Sequence, residues 1–281
     1  MEFVLEVRPA GGEPQIVPLP PSGTITVGRQ APADLVVNDQ FMSRAHFQLQ
    51  CTPAMVTLVD PASSNGTFVN GVRCRQVDLR PRDAIFAGRT SFRFAPVISG
   101  KPALEYLPPS HGELQPWQQK ALEVIESACN FAILDGAISP AVLDLLNQSG
   151  TYYQSLYEGE QSADVARYGP YLVQIQPDRP FLPYLVKAAW GMFWGVFLGS
   201  PQSFEETRKH LRRFLIVDNG SGSKVLFRYY DPRVLRVFLP SCEPEQRKEF
   251  FGPIRCYFAE TEPAPGLTAF TPDQQHAVPL E

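Results

Sequence analysis

Short apolar runs separated by turn residues fill the first third of the chain. They occur at residues 3–7, 24–27, 35–37, 46–50, 55–59, 67–69, 84–87 and 91–94. None of them has the three-to-four-residue spacing of an amphipathic helix. Regularly spaced short strands with turn residues between them are typical of β-sandwiches. We therefore predict an all-β sandwich over residues 1–97.

Proline becomes frequent in the next segment. Prolines stand at positions 96, 102, 108, 109 and 116, with Ser, Gly and Lys among the residues between them. A segment of this composition cannot bury a core and behaves as a semi-rigid linker. We assign residues 98–116 to a linker that separates two domains.

Helical and strand patterns alternate after this linker. Apolar residues at 121, 122, 124, 125 and 128 have a helical period, whereas residues 131–134 and 171–175 form short apolar runs. Ser203 and Glu206 have the spacing of a helix capping box, and Asn-Gly-Ser-Gly at 219–222 predicts a β-hairpin. The pattern predicts a mixed α+β domain over residues 117–259. Residues 260–281 are rich in proline and polar residues, so we expect a loosely ordered tail.

The most apolar segment of the chain lies at residues 188–199. It is about twelve residues long, and a membrane-spanning helix needs roughly twenty. Trp190, Phe193, Trp194 and Phe197 are spaced by three and four, which predicts a helical stripe. We interpret this stripe as packed in the core, with an exposed groove for a partner helix as the alternative.

Composition narrows the possible function. The 281 residues are 44% hydrophobic, enough for a sizeable core in two domains. The net charge of −4 argues against nucleic-acid binding and against binding to a membrane surface, since both favour a broad basic face. Residues 1–97 hold nine Arg, no Lys and eight acidic residues. The first domain is therefore the better candidate for binding an anion, and Arg suits phosphate because its guanidinium donates two hydrogen bonds at once.

Cysteine usage and the first residues predict the compartment. The five cysteines, at 51, 74, 129, 242 and 256, are odd in number and widely spaced. This spacing argues against a disulfide framework. The first six residues lack the basic start and apolar run of a signal peptide. We expect a cytoplasmic protein that does not insert into a membrane.

Three polar clusters in the first domain suggest one rim that holds an anion. They contain Gly28-Arg29, then Ser43-Arg44-Ala45-His46, then Ser63-Ser64-Asn65-Gly66-Thr67, followed by Asn70-Gly71. Phosphothreonine carries nearly two negative charges and three acceptor oxygens, so its receptor needs an Arg and several neutral donors on fixed loops. The spacing of the clusters resembles the forkhead-associated (FHA) domain, which binds phosphothreonine in partner proteins.

The FHA resemblance implies a role for each residue of these clusters. It implies that Arg29, Ser43, Arg44 and Ser64 contact the phosphate and that Asn65 contacts the peptide backbone. It also implies that Gly28, His46, Gly66, Thr67 and Asn70 form the scaffold beneath them. The partner it implies is a phosphothreonine-containing protein.

The second domain resembles another family. The matching stretches include Ala132-Ile133-Leu134-Asp135-Gly136-Ala137, Ser155-Leu156-Tyr157-Glu158-Gly159, Gly169-Pro170-Tyr171-Leu172-Val173 and, most densely, residues 225–235. They resemble the domain-of-unknown-function 4123 family, found in adaptor chaperones of bacterial type VI secretion systems. This resemblance implies that the domain binds a toxic effector and delivers it to the spike protein of the secretion apparatus.

Charged residues of the second domain allow two interpretations. Arg228, Asp231 and Arg233 follow the predicted hairpin, and Arg212 and Arg213 end the helix that begins after Ser203. They are candidates for contact with effector or spike. The alternative is that Asp231 caps a helix and pairs with Arg228 or Arg233, and that the basic run on the preceding helix, Arg208 included, is a solvated face.

Catalytic motifs are absent from the sequence. Histidines at 46, 111, 210 and 276 lack metal-ligand spacing to Cys, Asp or Glu. Residues 220–224 lack the spacing of a phosphate-binding loop, and there is no Gly-x-Ser-x-Gly elbow. We predict a protein without enzymatic activity, cofactor or bound metal.

Two functions remain open at this stage. The first is a secretion adaptor that binds an effector and loads it onto the spike, with the FHA domain adding a phosphothreonine-dependent or constitutive contact. The alternative is a phosphothreonine-binding scaffold that regulates assembly of the secretion machine and carries no cargo.

Overall fold

The chain divides into two units of structure. A computed structural model describes residues 2–9, 12–104, 113–158, 168–176, 181–218, 220 and 222–280. The first unit comprises Met1–Tyr106 with Glu158–Ser162, and the second comprises Leu107–Tyr157 with Ala163–Glu281.

The first unit is a β-sandwich. One sheet has the order β2-β1-β11-β10-β7-β8 with β12 beside β11, and the other has the order β4-β3-β5-β6-β9. The strands are β1 Phe3–Arg8, β2 Gln15–Pro18, β3 Gly23–Gly28, β4 Leu35–Val36, β5 Phe47–Cys51, β6 Val56–Val59, β7 Thr67–Val69, β8 Val72–Cys74, β9 Gln76–Asp78, β10 Ala84–Ala87, β11 Thr90–Ile98 and β12 Lys101–Pro102.

Alternating burial along the strands forms the core of the sandwich. In β5 the side chains of Phe47, Leu49 and Cys51 are buried, whereas Gln50 is exposed. Phe92 and Phe94 of β11 pack into the same core from the facing sheet. The predicted all-β sandwich is confirmed.

Strand register places three loops at one end of the sandwich. Val27, near the end of β3, lies beside Phe47 at the start of β5, and Gln48 lies beside Val59 at the end of β6. Thr67 at the start of β7 lies beside Ala87 at the end of β10. The loops after β3, before β5 and before β7 therefore meet at the same edge.

The predicted linker begins too early. Strand β11 continues to Ile98, and Lys101 pairs with Ile98 across a turn in which Ser99 and Gly100 have positive φ. Residues 98–102 therefore belong to the first unit. At its other end, Pro116 is already the first residue of a helix, where proline is tolerated because that N–H has no intrahelical partner. Residues 105–112, which include Pro108 and Pro109, lie outside the described residues.

The second unit is mixed α+β, as predicted. Its large sheet has the order β14-β15-β13-β16-β19-β20-β21, and β17 with β18 forms a separate hairpin. The described helices are α1 Pro116–Ala128, α2 Pro140–Ser149, α3 Phe181–Ala189, α4 Phe204–Arg212, α5 Pro232–Ser241 and α6 Pro244–Phe251. The strands are β13 Phe131–Asp135, β14 Tyr153–Ser155, β15 Pro170–Gln174, β16 Gly195–Gly199, β17 Ile216–Asp218, β18 Lys224–Leu226, β19 Cys256–Glu260, β20 Leu267–Phe270 and β21 Gln275–Ala277.

Buried central strands form the core of this unit. Every residue of β13 and of β16 is buried, as expected for strands covered on both faces. The rings of Tyr229, Phe250 and Tyr257 pack against one another with centroid separations of 5.5 and 5.4 Å. The predicted capping box is also present, since Ser203 Oγ accepts a hydrogen bond from the Glu206 N–H at 3.3 Å.

The segment at residues 190–199 is not helical. Helix α3 ends at Ala189, a turn follows in which Gly191 and Phe193 have positive φ, and β16 begins at Gly195. A Cβ at Gly195 would lie 1.9 Å from the Ile133 carbonyl oxygen, so only glycine permits this close approach to β13. The predicted helical stripe is wrong, although Trp194 and Phe197 are buried.

Residues 260–280 are also ordered, contrary to the expectation of a loose tail over residues 260–281. Strand β20 pairs with β19 from Leu267 beside Glu260 to Phe270 beside Tyr257, and β21 pairs with β20. Leu267 and Phe270 are buried in the core, as is Leu280. These apolar residues give the polar, proline-rich segment enough buried surface to order it. Among the described residues, no helix has both the length and the apolar character needed to cross a bilayer.

Candidate functional site

Ser43 connects the three loops at the edge of the sandwich. Its carbonyl oxygen accepts a hydrogen bond from the Arg29 N–H at 3.0 Å. Its hydroxyl oxygen accepts one from the Ser64 N–H, also at 3.0 Å. A single residue of the middle loop thus fixes the positions of both neighbouring loops.

His46 supports this junction from below. The Ser43 N–H donates to His46 Nδ1 at 2.9 Å, so Nδ1 is an acceptor and Nε2 carries the proton. Nε2 then donates to the Gly66 carbonyl oxygen at 3.1 Å. The side chain is fully buried, and burial lowers the pKa of His46 below its ordinary value. A neutral ring therefore ties the second loop to the third.

Asp60 fixes the third loop, and sequence reasoning did not identify it. It accepts hydrogen bonds from the Ser63 N–H at 2.7 Å and from Thr67 Oγ1 at 2.8 Å. Burial opposes ionisation of this carboxyl, but hydrogen bonds from Ser63 and Thr67 outweigh it and lower the pKa of Asp60. An aspartate that receives the N–H of a residue shortly after it is a common turn feature. That signal is present at Asp60-Pro61, so the residue was identifiable in principle.

Two positions at the rim require glycine, Gly28 because another backbone segment approaches it closely and Gly66 because of its backbone angle. A Cβ at Gly28 would lie 1.9 Å from the Arg44 carbonyl oxygen, which leaves no space for any side chain. Gly66 has φ of +83°, a conformation that other residues rarely adopt. A Cβ there would also lie 2.4 Å from Arg73 Nε, so the Arg73 side chain packs against this turn.

Asn70 is a structural residue at the opposite end of β7. Its side-chain amide donates to Asp83 Oδ1 at 2.8 Å and its Oδ1 accepts the Ala84 N–H at 3.0 Å. Asn70 has φ of +51°, which asparagine tolerates better than most residues. It fastens the turn between β7 and β8 to the start of β10, away from the rim.

Exposure separates the predicted contact residues from the predicted scaffold. Arg29, Arg44, Ser64 and Asn65 are exposed and Ser43 is half-buried, whereas Gly28, His46, Gly66 and Thr67 are buried and Asn70 is half-buried. The Asn65 side-chain amide donates to the Phe41 carbonyl oxygen at 2.7 Å, which fixes its orientation. Because an amide nitrogen has two protons, this bond leaves one donor for a ligand.

Arg89 adds a cation that sequence reasoning missed. Its guanidinium carbon lies 3.9 Å from the centre of the Phe41 ring. The Arg89 N–H donates to Asp39 Oδ2 at 2.6 Å, and Thr90 Oγ1 donates to the same oxygen at 2.9 Å. Arg89 lies in the turn between β10 and β11, far in sequence from the motif, so no local signal marked it. The acidic residues beneath the rim are engaged internally, and its exposed face presents guanidinium groups and neutral donors that suit a phosphate dianion.

The basic run on α4 is mostly structural in the second unit. Arg208 is buried and its Nε donates to the Ser155 carbonyl oxygen at 2.8 Å. Arg212 Nε donates to the Leu156 carbonyl oxygen at 2.9 Å. The predicted solvated face is therefore wrong for these two residues, because their guanidinium groups hold the segment after β14. Arg213 is exposed and forms an ion pair with Glu249 at 3.1 Å.

The charged residues after the hairpin pair internally. Asp231 caps α5 by accepting the Arg233 N–H at 2.9 Å, and Arg233 Nη2 lies 2.7 Å from Asp231 Oδ2. Arg228 pairs instead with Asp135, which is fully buried at the end of β13 and also accepts the Ala137 N–H at 2.9 Å. The interpretation of Asp231 as a helix cap is confirmed, with Arg233 as its partner.

A surface groove of about 390 Å³ lies near this region. Phe214, Phe227, Phe238 and Phe250 supply its apolar lining, and Arg213 and Glu249 lie at it. Large apolar side chains of the same elements are exposed: Ile216, Val225, Leu226 and Val237. Among the described residues, no group of three or more His, Cys, Asp or Glu side chains is placed to hold a metal ion.

Comparison with known families identifies both units. Residues 25–88 match the FHA domain, and residues 130–249 match the family described as Domain of unknown function (DUF4123). The expected fusion of an N-terminal FHA domain to a DUF4123 domain is therefore confirmed. Both are interaction domains, so the chain has a protein-interaction role.

Individual relatives that resemble the chain cover about a third of it or less. Over 75 residues the chain is 38% identical to the ABC transporter ATP-binding/permease protein Rv1747 of Mycobacterium tuberculosis, a match that spans 27% of this chain and 9% of the transporter. The FHA domain of CT664 from Chlamydia trachomatis is 27% identical, with 34% of this chain and 96% of that chain covered and a TM-score of 0.32. Mycobacterium tuberculosis EmbR in complex with a low-affinity phosphopeptide is 27% identical, with 32% and 24% covered and a TM-score of 0.29.

Proposed function

We propose that this chain, which joins an FHA domain to a DUF4123 domain, is a non-enzymatic type VI secretion adaptor that loads a toxic effector onto the spike protein. The FHA domain adds a phosphothreonine-dependent contact with a further protein. One observation carries the proposal for the FHA domain: exposed Arg29, Arg44 and Ser64 stand on loops that Ser43 and buried His46 tie together. Preorganised donors bind a dianion without the entropic cost of ordering mobile loops.

Calorimetry with a phosphothreonine peptide tests the FHA contact. Removing one charge-assisted contact to phosphate costs about 1.5–3 kcal/mol, so Arg29→Ala should weaken binding about ten- to hundredfold. Arg80→Ala is the matched control. Arg80 is exposed and follows β9, whose Asp78 lies beside Thr57 at the end of the sandwich opposite the rim. Equal affinity for phosphorylated and unphosphorylated peptide would refute phosphothreonine binding.

The cargo function rests on the DUF4123 match over residues 130–249. Of the proposed contact residues in the second unit, Arg213 and Arg233 have the most exposed side chains, at 58% and 53%. Asp231 and Arg212 are engaged within the unit, and Arg228 pairs with Asp135. Arg213 and Arg233 are also paired, with Glu249 and Asp231, but because of their greater exposure we propose them as the contact with effector or spike.

Co-purification with a neighbouring-gene effector distinguishes adaptor from scaffold. An adaptor should retain the effector when Arg29 is replaced by Ala, because cargo binds the second unit. The Arg213→Ala, Arg233→Ala double variant should release it, with Arg80→Ala as the control that retains it. Loss of all protein partners with Arg29→Ala or after phosphatase treatment would instead support the phosphothreonine-binding scaffold.

A further inference from the structure

Two of the five cysteines meet in the second unit although they are far apart in sequence. Cys129 is the cap residue directly after α1, and Cys256 is the first residue of β19. Cys256 Sγ lies 3.6 Å from the carbonyl oxygen of Ala128, the residue directly before Cys129, and accordingly the two thiols influence each other's pKa. Cys129 is buried, whereas Cys256 is partly exposed to solvent.

Gly199 creates the space in which these thiols meet. Gly199 pairs with Cys256 in the register of β16 with β19. On the other side of β16, the Asn130 N–H donates to the Leu198 carbonyl oxygen at 3.2 Å, which brings the end of α1 beside the same strand. A Cβ at Gly199 would lie 2.3 Å from the Ala128 carbonyl oxygen and 2.9 Å from Cys256 Sγ. Any larger residue would therefore force the end of α1 and Cys256 apart.

The surroundings make the two sulfur atoms chemically unequal. Burial raises the pKa of Cys129 well above its ordinary value. The pKa of Cys256 is lowered to about 7, chiefly by a hydrogen bond with Cys129. Burial opposes this shift, whereas the Gly199 N–H and Arg255 add to it. Burial raises the pKa of Cys51, Cys74 and Cys242 instead. A thiol of lowered pKa beside a second thiol suits oxidation of the first and attack by the second on the oxidised sulfur.

We propose that Cys129 and Cys256 form a modification site at which hydrogen peroxide produces a disulfide. The Cys256 thiolate attacks one peroxide oxygen, the O–O bond breaks, and the departing hydroxide takes a proton to become water. Cys256 is then a sulfenic acid. The Cys129 sulfur attacks the sulfur of that acid, the S–S bond forms, and hydroxide leaves with the Cys129 thiol proton as a second water. The two thiols together lose two electrons, which reduce the peroxide.

The disulfide fastens the end of α1 to β19 across β16. It closes a loop that contains most of the second unit, and closing a long loop restricts the unfolded chain. The oxidised protein is therefore expected to have a higher melting temperature, and a small dithiol should restore both thiols and the original melting temperature.

Intact mass and peptide mapping of the full chain after treatment with hydrogen peroxide test this proposal. We expect a fall of about 2 Da, a loss of two alkylatable thiols, and one crosslinked peptide that joins Cys129 to Cys256. A disulfide between any other cysteines, or five thiols that remain alkylatable when peroxide is in excess, would overturn it. This measurement on the unmodified sequence does not depend on the folding of a variant.

Variants separate the attacking sulfur from the resolving one. Cys129→Ser should leave a sulfenic acid on Cys256 that a dimedone probe traps, and Cys256→Ser should abolish both trapping and crosslinking. Cys242→Ser is the matched control, because Cys242 is also partly exposed and should leave the crosslink unchanged. Trapping on Cys129 in the Cys256→Ser variant, or no difference between the variants, would contradict the assigned roles.

Discussion

His46 shows how a buried side chain can define an exposed binding site without contacting the ligand. It accepts from the Ser43 N–H and donates to the Gly66 carbonyl oxygen, so the neutral ring bridges two loops. Burial favours the neutral form. The rim presents donors to phosphate because its loops are fixed by groups below it.

Replacing His46 tests this role. In His46→Ala, the Ser43 N–H and the Gly66 carbonyl oxygen lose their partners at a buried position, where each loss costs about 1–3 kcal/mol. We expect the free energy of unfolding of the first unit to fall by about 2–4 kcal/mol in urea denaturation. His276→Ala, at an exposed histidine of β21, is the control and should change it by less than about 0.5 kcal/mol. An unchanged melting temperature in His46→Ala would contradict the structural role.

Residues of the rim could be predicted from the sequence where the motif requires a particular backbone conformation or a buried side chain. Gly28, His46 and Gly66 each do something that few other residues can do, so their identity carried information. Asp39 and Arg89 were not predicted, because their contacts depend on the pairing of distant strands and not on the local motif. Arg89 reaches the rim only because β10 and β11 return the chain to this edge.

In the second unit, the pairing of distant strands also decides whether a whole segment becomes helix or strand. The spacing of Trp190, Phe193, Trp194 and Phe197 fits a helix, but pairing of β16 with both β13 and β19 determines the outcome. Those partners lie far away in sequence, and their hydrogen bonds outweigh a local period. The final strands were missed for the related reason that their apolar residues are few and are buried by β19.

Glu260 holds the turn that connects α3 to β16. Its carboxylate accepts the Gly191 N–H at 2.6 Å and also the Phe193 N–H, while burial raises the pKa of Glu260 to about 7. The ordinary value is 4.5, so between these values the folded state binds more protons than the unfolded state. Glu260 therefore stabilises the fold least at alkaline pH, and its contribution grows as the pH falls through 7 toward 4.5.

A Glu260→Gln variant isolates this pH dependence. The amide keeps an acceptor for the turn but does not titrate, so the variant loses the dependence. Between about pH 8 and about pH 5, the unfolding free energy of the original protein should rise by about 3 kcal/mol relative to Glu260→Gln. Urea denaturation at several pH values measures the difference. Parallel curves for the two proteins would show that Glu260 does not titrate in this range.

The ordered end of the chain can be tested with a cross-strand pair. Phe270 in β20 is buried in the core and lies beside Gln275 of β21, which is exposed. Phe270→Ala should lower the free energy of unfolding by about 3–5 kcal/mol, because it removes a large buried side chain. Gln275→Ala should change it by less than about 0.5 kcal/mol. Equal, small effects in thermal denaturation would mean that this segment is loosely ordered after all.

At the scale of the whole molecule, the chain contains two separate cores. The first consists of residues between Phe3 and Phe94, and the second consists of residues between Phe131 and Phe270. Among the described residues, no strand of the first unit pairs with a strand of the second. The excess of arginine over acidic residues is confined to residues 1–97. Each core provides the buried apolar surface that folding requires.

Separate cores predict separate folding. Fragments 1–104 and 113–281 should each unfold cooperatively in calorimetry, because each retains every described strand of its own sheets. In the full chain, His46→Ala should lower the transition that fragment 1–104 shows and leave that of fragment 113–281 unchanged. Phe270→Ala should have the converse effect. A single transition that both substitutions lower together would show that the two units unfold as one, and a fragment without a cooperative transition would show that its core is insufficient alone.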